Sequence, residues 1–397
     1  MRKVLMLGVC LAAAAGGINA AQAADAPVTS GLSLKINGWI GFMAGLSLSD
    51  TNNSSFDRDY DFISNARLQF DIKNVTDSGL EYGARIRMNN VDRKNNITVD
   101  RTYLYVKGSF GTVTFGDAPY AIADFGYVYA HDTLNGKLGL GAGWGDGLDG
   151  KFNLFGGSDT FYAIDPSYGI GGLNGKDTKV KYTSPSLSGF SFGLDFTPVA
   201  GGKNAENSKG TGGGTSDHAG NGGRNDLFND ATTRYENVVT AGVQYTNTFD
   251  GSTMTLRASA GNGNGVLGNH DYEAYSLGGQ LIHSSGFAGS VNWVHFASTF
   301  RSDKAIDSIT GDLSYYGGPY VISVGYAYTT AEKGNKLVST FTDGQDLKTN
   351  HSVVGSFLYN LAPGLNSFTE LSYERNEFRS GKDYEATNLT TGLAISF

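Results

Sequence analysis

Apolar and polar residues alternate with a period of two along most of the chain, which is typical of β-strands with one buried face. In residues 80–90, for example, one parity runs from Leu80 to Met88 and the other carries Arg85 and Arg87. Runs of this kind predict sixteen strands, over 32–46, 60–74, 80–90, 97–107, 111–117, 177–184, 190–198, 234–247, 253–261, 271–284, 287–297, 306–316, 319–330, 350–360, 366–375 and 385–397. The parity is ambiguous in 97–107 and in 350–360. The pattern predicts a large all-β protein.

The connections between these strands alternate between short and long. Short ones include "TDSG", "GSFG" and "NTFDGS", and long ones cover 118–176, 199–233 and 331–349. Antiparallel strands joined in chain order place every second connection at the same end of the sheet. The alternation therefore predicts a meander whose long loops all lie at one end.

Two architectures fit an alternating meander. In a soluble sandwich the apolar parity packs against a second sheet, whereas in a transmembrane barrel it faces lipid and the polar parity faces water. Three features favour the barrel. An even number of strands closes the sheet without an edge, and many runs carry an aromatic residue near an end, as at Tyr182, Tyr245 and Tyr359. The polar parity also carries charges that suit a wet interior: Arg67, Arg85, Arg87, Lys179, Lys181, Asp195 and Arg257. We predict a transmembrane antiparallel β-barrel of about 16 strands, with a secreted soluble all-β domain as the alternative.

The first residues predict export from the cytoplasm. Arg2 and Lys3 precede an apolar run, and "AQA" at 21–23 fits a small-x-small cleavage site. We therefore expect a signal peptide at 1–23 and a single barrel domain at 24–397. A membrane anchor helix is the alternative, although the run is shorter than the roughly 20 residues that a span requires.

Composition excludes several classes of site in the mature chain. The only cysteine, Cys10, lies in the expected signal peptide, which argues against disulfides and cysteine metal sites. Loss of Arg2 and Lys3 changes the net charge from −8 to −10, which argues against a nucleic-acid partner. The six histidines show no metal-ligand spacing. We expect no cofactor and no bound metal.

Two short motifs resemble enzyme signatures but lack the required context. The string "GFSFG" places Ser191 inside a continuing strand pattern, where a nucleophile elbow needs a strand, a turn and a helix. Gly263, Gly265 and Gly268 match a dinucleotide-binding string, but a strand pattern follows them instead of a helix. We expect no enzymatic activity, and a barrel enzyme remains an alternative of another class.

The longest connection, 118–176, is rich in aromatic and acidic residues. Its apolar content predicts a segment that packs against the inner wall of the barrel, and the alternative is an ordinary solvated loop. Its candidate pore-lining acids, with the residue at its mouth, are Asp117, Asp124, Asp132, Asp146 and Asp149.

The second to fourth strands supply the basic counterpart. Arg67, Arg85, Arg87 and Arg101 would form a basic ladder on one side of the lumen, because permanently charged guanidinium groups do not face lipid cheaply. The strand that contains Arg101 has an ambiguous parity, and a position at the membrane rim is the alternative for the whole set. Acids facing such a ladder would make a narrow, polarised pore that filters solutes by size and penalises apolar ones.

Three stretches resemble the general porins of the Gram-negative outer membrane, of the sixteen-stranded trimeric type: "DRTYLYVKGSFGTVTFGD" (100–117), "KYTSPSLSGFSFGLDF" (181–196) and the final "TGLAISF". The resemblance implies a third loop that folds inward and acidic loop residues that face Arg67, Arg85, Arg87 and Arg101. It also implies a homotrimer in contact with outer-membrane lipid and lipopolysaccharide. Phe397, Ile395 and Leu393 match the family's terminal signal for the barrel assembly machinery. The family's frequent P-E-F-G-G string is replaced by "APYAIADFGYVYA", so the resemblance does not identify the acid that lines the constriction.

These observations predict an outer-membrane channel for passive diffusion of small hydrophilic solutes and ions. The acidic excess of 118–176 and the net charge of −10 predict weak cation selectivity, because they raise the local cation concentration. The alternative is a substrate-specific porin, for instance for a sugar that stacks on Trp144, Tyr127 or Tyr129.

Overall fold

The computed structural model describes residues 31–49, 60–89, 98–128, 130, 173, 177–200, 235–266, 268–300, 302–335, 346–381 and 383–397. The predicted signal peptide lies outside these ranges. The strands are β1 Ser33–Ser49, β2 Tyr60–Val75, β3 Glu81–Asn89, β4 Thr98–Gly108, β5 Gly111–Asp117, β6 Thr178–Thr183, β7 Phe190–Ala200, β8 Tyr235–Phe249, β9 Ser252–Gly265, β10 Tyr272–His283, β11 Phe287–Ser298, β12 Ile306–Gly317, β13 Tyr320–Ala331, β14 Leu347–Ala362, β15 Leu365–Phe378 and β16 Asp383–Ser396.

The sixteen strands form one closed antiparallel barrel in chain order. β1 pairs with β16 to close it, with Phe42 opposite Leu393. Just beyond this ladder, the backbone N–H groups of Gly38 and Phe397 each donate to the other residue's carbonyl, at 2.9 and 3.0 Å. The predicted sixteen-stranded meander is confirmed, and each predicted strand boundary agrees with the structure to within four residues.

The two faces of the barrel wall differ as the alternation requires. On β11 and β12, the side chains of Val291 and Leu313 are 56% and 65% exposed, while Asn292 and Asp312 are buried. Because neighbouring side chains of a strand point to opposite faces, the exposed apolar set faces outward and the polar set faces the lumen. The outer surface is therefore a continuous apolar face of the kind that lipid covers.

Aromatic side chains form a belt at each end of the outward face. At the end with short turns, Phe190 pairs with Tyr245 at 4.6 Å between ring centroids, and Phe287 pairs with Tyr315 at 4.7 Å. At the end with long loops, the outward-facing set is Tyr275, Trp293, His295, Tyr326, Tyr328 and His351. Two aromatic belts around an apolar band are typical of transmembrane barrels.

The described part of the connection between β5 and β6 contains one short helix. α1 is a single turn, Ala121–Asp124. In the part of the chain that the structure describes, no helix is long and apolar enough to cross a membrane.

Candidate functional site

The start of the long third connection lies on the inner face of the barrel. We call residues 118–128 and 130 the inner segment. Two inward-facing lysines of β6 hold its first residues. The Lys179 ammonium donates to the carbonyls of Ala118, at 2.6 Å, and of Asp177, and it lies 4.0 Å from the Tyr120 ring centroid. The Lys181 ammonium donates to the Pro119 carbonyl at 3.0 Å. Both ammonium groups therefore anchor the start of the inner segment.

The next anchor is made by β7 and β8. The Asp195 carboxylate accepts from the Ala121 N–H and, at 2.7 Å, from the Thr240 hydroxyl. The Thr240 Oγ1 in turn accepts from the Ile122 N–H at 3.0 Å. The first turn of α1 thus finds buried acceptors for N–H groups that a helix start leaves without intrahelical partners.

A pair of glycines gives the inner segment room to approach the wall. Gly193 on β7 and Gly242 on β8 are cross-strand partners, and the Phe125 ring lies against both. A methyl group at Gly193 would lie 2.6 Å from the Phe125 ring. Only glycine at these positions permits this close contact.

The segment then follows the wall as far as β12. The Arg257 guanidinium on β9 donates to the Tyr127 carbonyl. On β11, the Asn292 side chain accepts from the Val128 N–H at 2.9 Å and donates to its carbonyl at 2.8 Å. On β12, Thr310 bonds the Tyr127 hydroxyl, and Asp312 accepts from the Ala130 N–H at 2.8 Å. The described start of the 118–176 connection therefore packs on the inner wall from β6 to β12.

Two polar groups fasten the mouth of this segment. The Tyr120 hydroxyl donates to the Asp177 carboxylate. Burial, together with the charge of Asp177, raises the pKa of Tyr120 well above its ordinary value, so the phenol stays protonated. Asp117, a predicted pore-lining acid, is buried at the end of β5 and accepts from the Thr178 hydroxyl at 2.7 Å. Its described contact joins β5 to β6.

Across the barrel, the inner faces of β1–β4 are rich in basic residues. The four predicted arginines lie on this face, which we call the basic wall: Trp39 is opposite Arg67, Gln69 is opposite Arg87, and Arg87 is opposite Arg101. The described charged residues of the wall are Lys35, Arg67, Lys73, Arg85, Arg87, Arg101 and Lys107, against Asp71 and Glu81. Since β3 and β11 lie eight strands apart in a ring of sixteen, the basic wall faces the inner segment across the lumen.

The predicted acidic side is described only in part. The Asp124 carboxylate lies 2.6 Å from the Lys181 ammonium, and its side chain is 39% exposed. This lysine compensates its charge locally. Asp132, Asp146 and Asp149, like Tyr129 and Trp144, lie outside the described residues. Tyr127 is buried and bonded to Thr310, so its ring does not face a passing solute.

The sequence did not single out several residues that hold the segment: Gly193, Thr240, Gly242, Asn292, Thr310 and Asp312. A usable signal exists for two of them, since Asn292 and Asp312 are polar residues in mid-strand on the inward parity. Ser191 lies within β7, and the stretch after Gly268 forms β10, so neither enzyme-like string has its required helix. Within the described ranges, no cluster of three or more His, Cys, Asp or Glu side chains could hold a metal ion.

Comparison with known proteins agrees with this geometry. A family model described as Gram-negative porin matches residues 8–379. No curated protein sequence matches the chain.

Several solved structures share the fold at low sequence identity. The outer membrane channel DcaP of Acinetobacter baumannii is 12% identical, with a TM-score of 0.58 over 93% of this chain and 98% of that one. The anion-selective porin from Comamonas acidovorans is 14% identical, with a TM-score of 0.58 over 92% and 100%. The trimer form of OmpT, an outer membrane protein of Vibrio cholerae, is 13% identical, with a TM-score of 0.54 over 92% and 100%.

Proposed function

Because the chain belongs to the Gram-negative porin family, we propose that it forms a water-filled outer-membrane channel for passive diffusion of small hydrophilic solutes and ions. The observation that carries this proposal is the barrel interior. One half of the wall carries an inner segment bound from β6 to β12, and the facing half carries exposed charges. A narrowed lumen with charged walls excludes large and apolar solutes without any moving part.

A planar bilayer recording tests the channel directly. The mature protein, refolded in detergent, should insert as open pores with an ohmic conductance in potassium chloride. Well-folded protein that gives no pores would contradict the proposal. Saturable block by one sugar would instead favour the substrate-specific alternative. Of the three aromatic residues predicted to stack on a sugar, Tyr127 is described, and it is buried.

The sign of the ion selectivity is a separate proposal. The sequence predicts weak cation selectivity from acids in 118–176, most of which lie outside the described residues. The described lumen charges favour the opposite sign, because basic residues outnumber acidic ones on β1–β4. We therefore propose a modest anion preference.

We expect a zero-current potential of anionic sign across a tenfold salt gradient at low ionic strength, where screening is weak. Arg87→Gln should move this potential towards the cationic side, since it removes one charge of the basic wall. A cationic potential in the unaltered protein would support the sequence-based prediction and overturn this one.

The assembly state and the terminal signal are proposals of the same kind. We propose a homotrimer in outer-membrane lipid and lipopolysaccharide, and the solved OmpT is described as a trimer form. We further propose that Phe397, Ile395 and Leu393 are read by the barrel assembly machinery. Ile395 and Leu393 face outward on β16, and Phe397 is 57% exposed.

Deletion of Phe397 should lower the amount of folded barrel in cells several-fold. It should change refolding in detergent much less, because Phe397 adds only two backbone hydrogen bonds, both to Gly38, at the end of the long ladder between β1 and β16. Heat-modifiable migration in gels measures both. An equal loss in the two settings would mean that the residue acts through its contacts with Gly38 and not as a signal.

A further inference from the structure

Four inward-facing side chains of β3 and β4 form a compact group on the basic wall. Arg87 lies directly opposite Arg101, and Arg85 lies directly opposite Tyr103. Cross-strand partners are about 5 Å apart, and residues two apart on a strand are about 6.6 Å apart. The four side chains therefore occupy the corners of one small patch, which we call the arginine–tyrosine square.

The guanidinium of Arg85 is held in a fixed position. Its Nε donates to Asp71 Oδ1 at 2.6 Å. The other oxygen of Asp71 accepts from Asn37 at 2.9 Å and from Gln69 at 2.8 Å, so the carboxylate is itself fixed. The Arg85 Cζ lies 5.8 Å from the Tyr103 ring centroid.

The outer edge of this guanidinium remains open to a solute. The Arg85 side chain is 36% exposed, and no described residue bonds its terminal nitrogens. An arginine whose Nε is occupied presents its two terminal NH₂ groups as a fork, which matches the two oxygens of a carboxylate. The fork is already oriented, so binding loses less side-chain entropy.

The remaining corners determine what kind of anion fits. Arg87 and Arg101 lie directly opposite each other, so they place two further positive charges beside the fork of Arg85. Tyr103 adds an aromatic surface beside these charges. A planar ring of a solute can stack on its phenol ring or on a guanidinium plane. The next residue in the row beyond Tyr103 is Gly116, which adds no side chain. The square thus joins a carboxylate-binding fork to an aromatic surface.

We propose that the arginine–tyrosine square is a binding site for aromatic carboxylates within the channel. The proposal rests on the proposed diffusion channel, because it supplies a preferred solute class for the same lumen. The carboxylate lies on the fork of Arg85, between it and the pair Arg87 and Arg101, and the ring lies beside Tyr103.

The test is block of single-channel current by three carboxylates: benzoate, cyclohexanecarboxylate and acetate. In the unaltered protein, benzoate should reduce the current saturably, with a half-blocking concentration about tenfold below that of cyclohexanecarboxylate, as expected for one aromatic contact. Tyr103→Leu should remove the difference between benzoate and cyclohexanecarboxylate. Arg85→Gln should raise the half-blocking concentration of both by about tenfold or more.

Lys73→Gln is the matched control. Lys73 lies on the same wall, pairs with Glu81 at 2.6 Å and is half-exposed, so its loss removes the same charge without touching the square. Its half-blocking concentration for benzoate should stay within about twofold of the unaltered protein, as a screened charge effect. Heat-modifiable migration verifies that each variant is folded.

The outcomes separate this proposal from the channel itself. Folded protein without pores would overturn the proposed function. Normal pores with equal block by the three acids, or equal losses in Arg85→Gln and Lys73→Gln, would leave the channel and overturn the binding site.

Discussion

Replacing Asn292 and Asp312 together by leucine will release the inner segment from the wall and raise the single-channel conductance. The two side chains satisfy the N–H and carbonyl of Val128 and the N–H of Ala130. A buried polar group left without its partner costs about 1–3 kcal/mol. The N–H groups of Val128 and Ala130 lose their acceptors, and the Val128 carbonyl keeps only a 3.3 Å bond from Ser290. The segment therefore becomes more stable in contact with lumen water than against an apolar wall.

The barrel itself should survive this change. Its strands are joined by ladders around the full ring, and neither side chain contributes to those ladders. We therefore expect unchanged heat-modifiable migration, a larger and noisier conductance, and faster uptake of sugars into liposomes that contain the variant.

Two variants control for the loss of buried polarity. Asp312→Asn keeps an oxygen that can accept from the Ala130 N–H, so its conductance should remain close to that of the unaltered protein. Ser323→Ala removes a buried inward hydroxyl of β13 that bonds Ser314, away from the inner segment. A double leucine variant with normal conductance and noise would show that the inner segment does not set the width of the pore.

The strands could be predicted because one physical rule governs most of them. Lipid on one side and water on the other enforce strict alternation, as on β13, where Ile322, Val324 and Tyr326 face outward. The ambiguous stretch 97–107 departs from the rule through a register shift. Val99 lies opposite Met88 while Arg101 lies opposite Arg87, so one residue between them is extra. No single-strand pattern specifies that bulge.

The second ambiguous stretch, 350–360, has a different cause. Val354 is apolar yet faces the lumen and is buried. It follows Val353, which faces outward, so both faces of β14 carry a valine at this point. Leu358 likewise packs inward against a small apolar cluster that contains Trp39, Met43 and Phe368. Where apolar side chains pack inside the barrel, residues on both faces of a strand are apolar. The sequence alone then cannot assign which face is inward.

The candidate site was predictable on the basic wall and not on the segment that faces it. Arg85 and Arg87 share a strand face by spacing alone, so their placement followed from the pattern. The anchors of the inner segment come from strands between 61 and 183 residues away in the chain. Contacts of this kind, such as the bond between Asn292 and Val128, depend on the three-dimensional fold and cannot be read from a local sequence pattern.

Replacing Val291 by arginine should lower the free energy of unfolding by about 2–4 kcal/mol, the usual cost of a basic side chain near the membrane midplane on the lipid face of a barrel. Val291 faces outward at 56% exposure. It lies four residues from Phe287 in one aromatic belt and two residues from Trp293 in the other, which places it between the belts, near the centre of the apolar band. Urea unfolding of the refolded protein in lipid vesicles measures the change.

Thr330→Arg is the matched control, because it adds the same side chain at a different depth. Thr330 lies on the outward parity of β13, opposite Asp307 and beyond the belt residue Tyr328. There the arginine reaches the headgroup region, where the cost falls to about 0–1 kcal/mol. The difference between the two variants measures the depth of the apolar band directly. If both variants unfolded alike, the apolar face between the belts would not be in contact with lipid, and the transmembrane placement of the barrel would have to be abandoned.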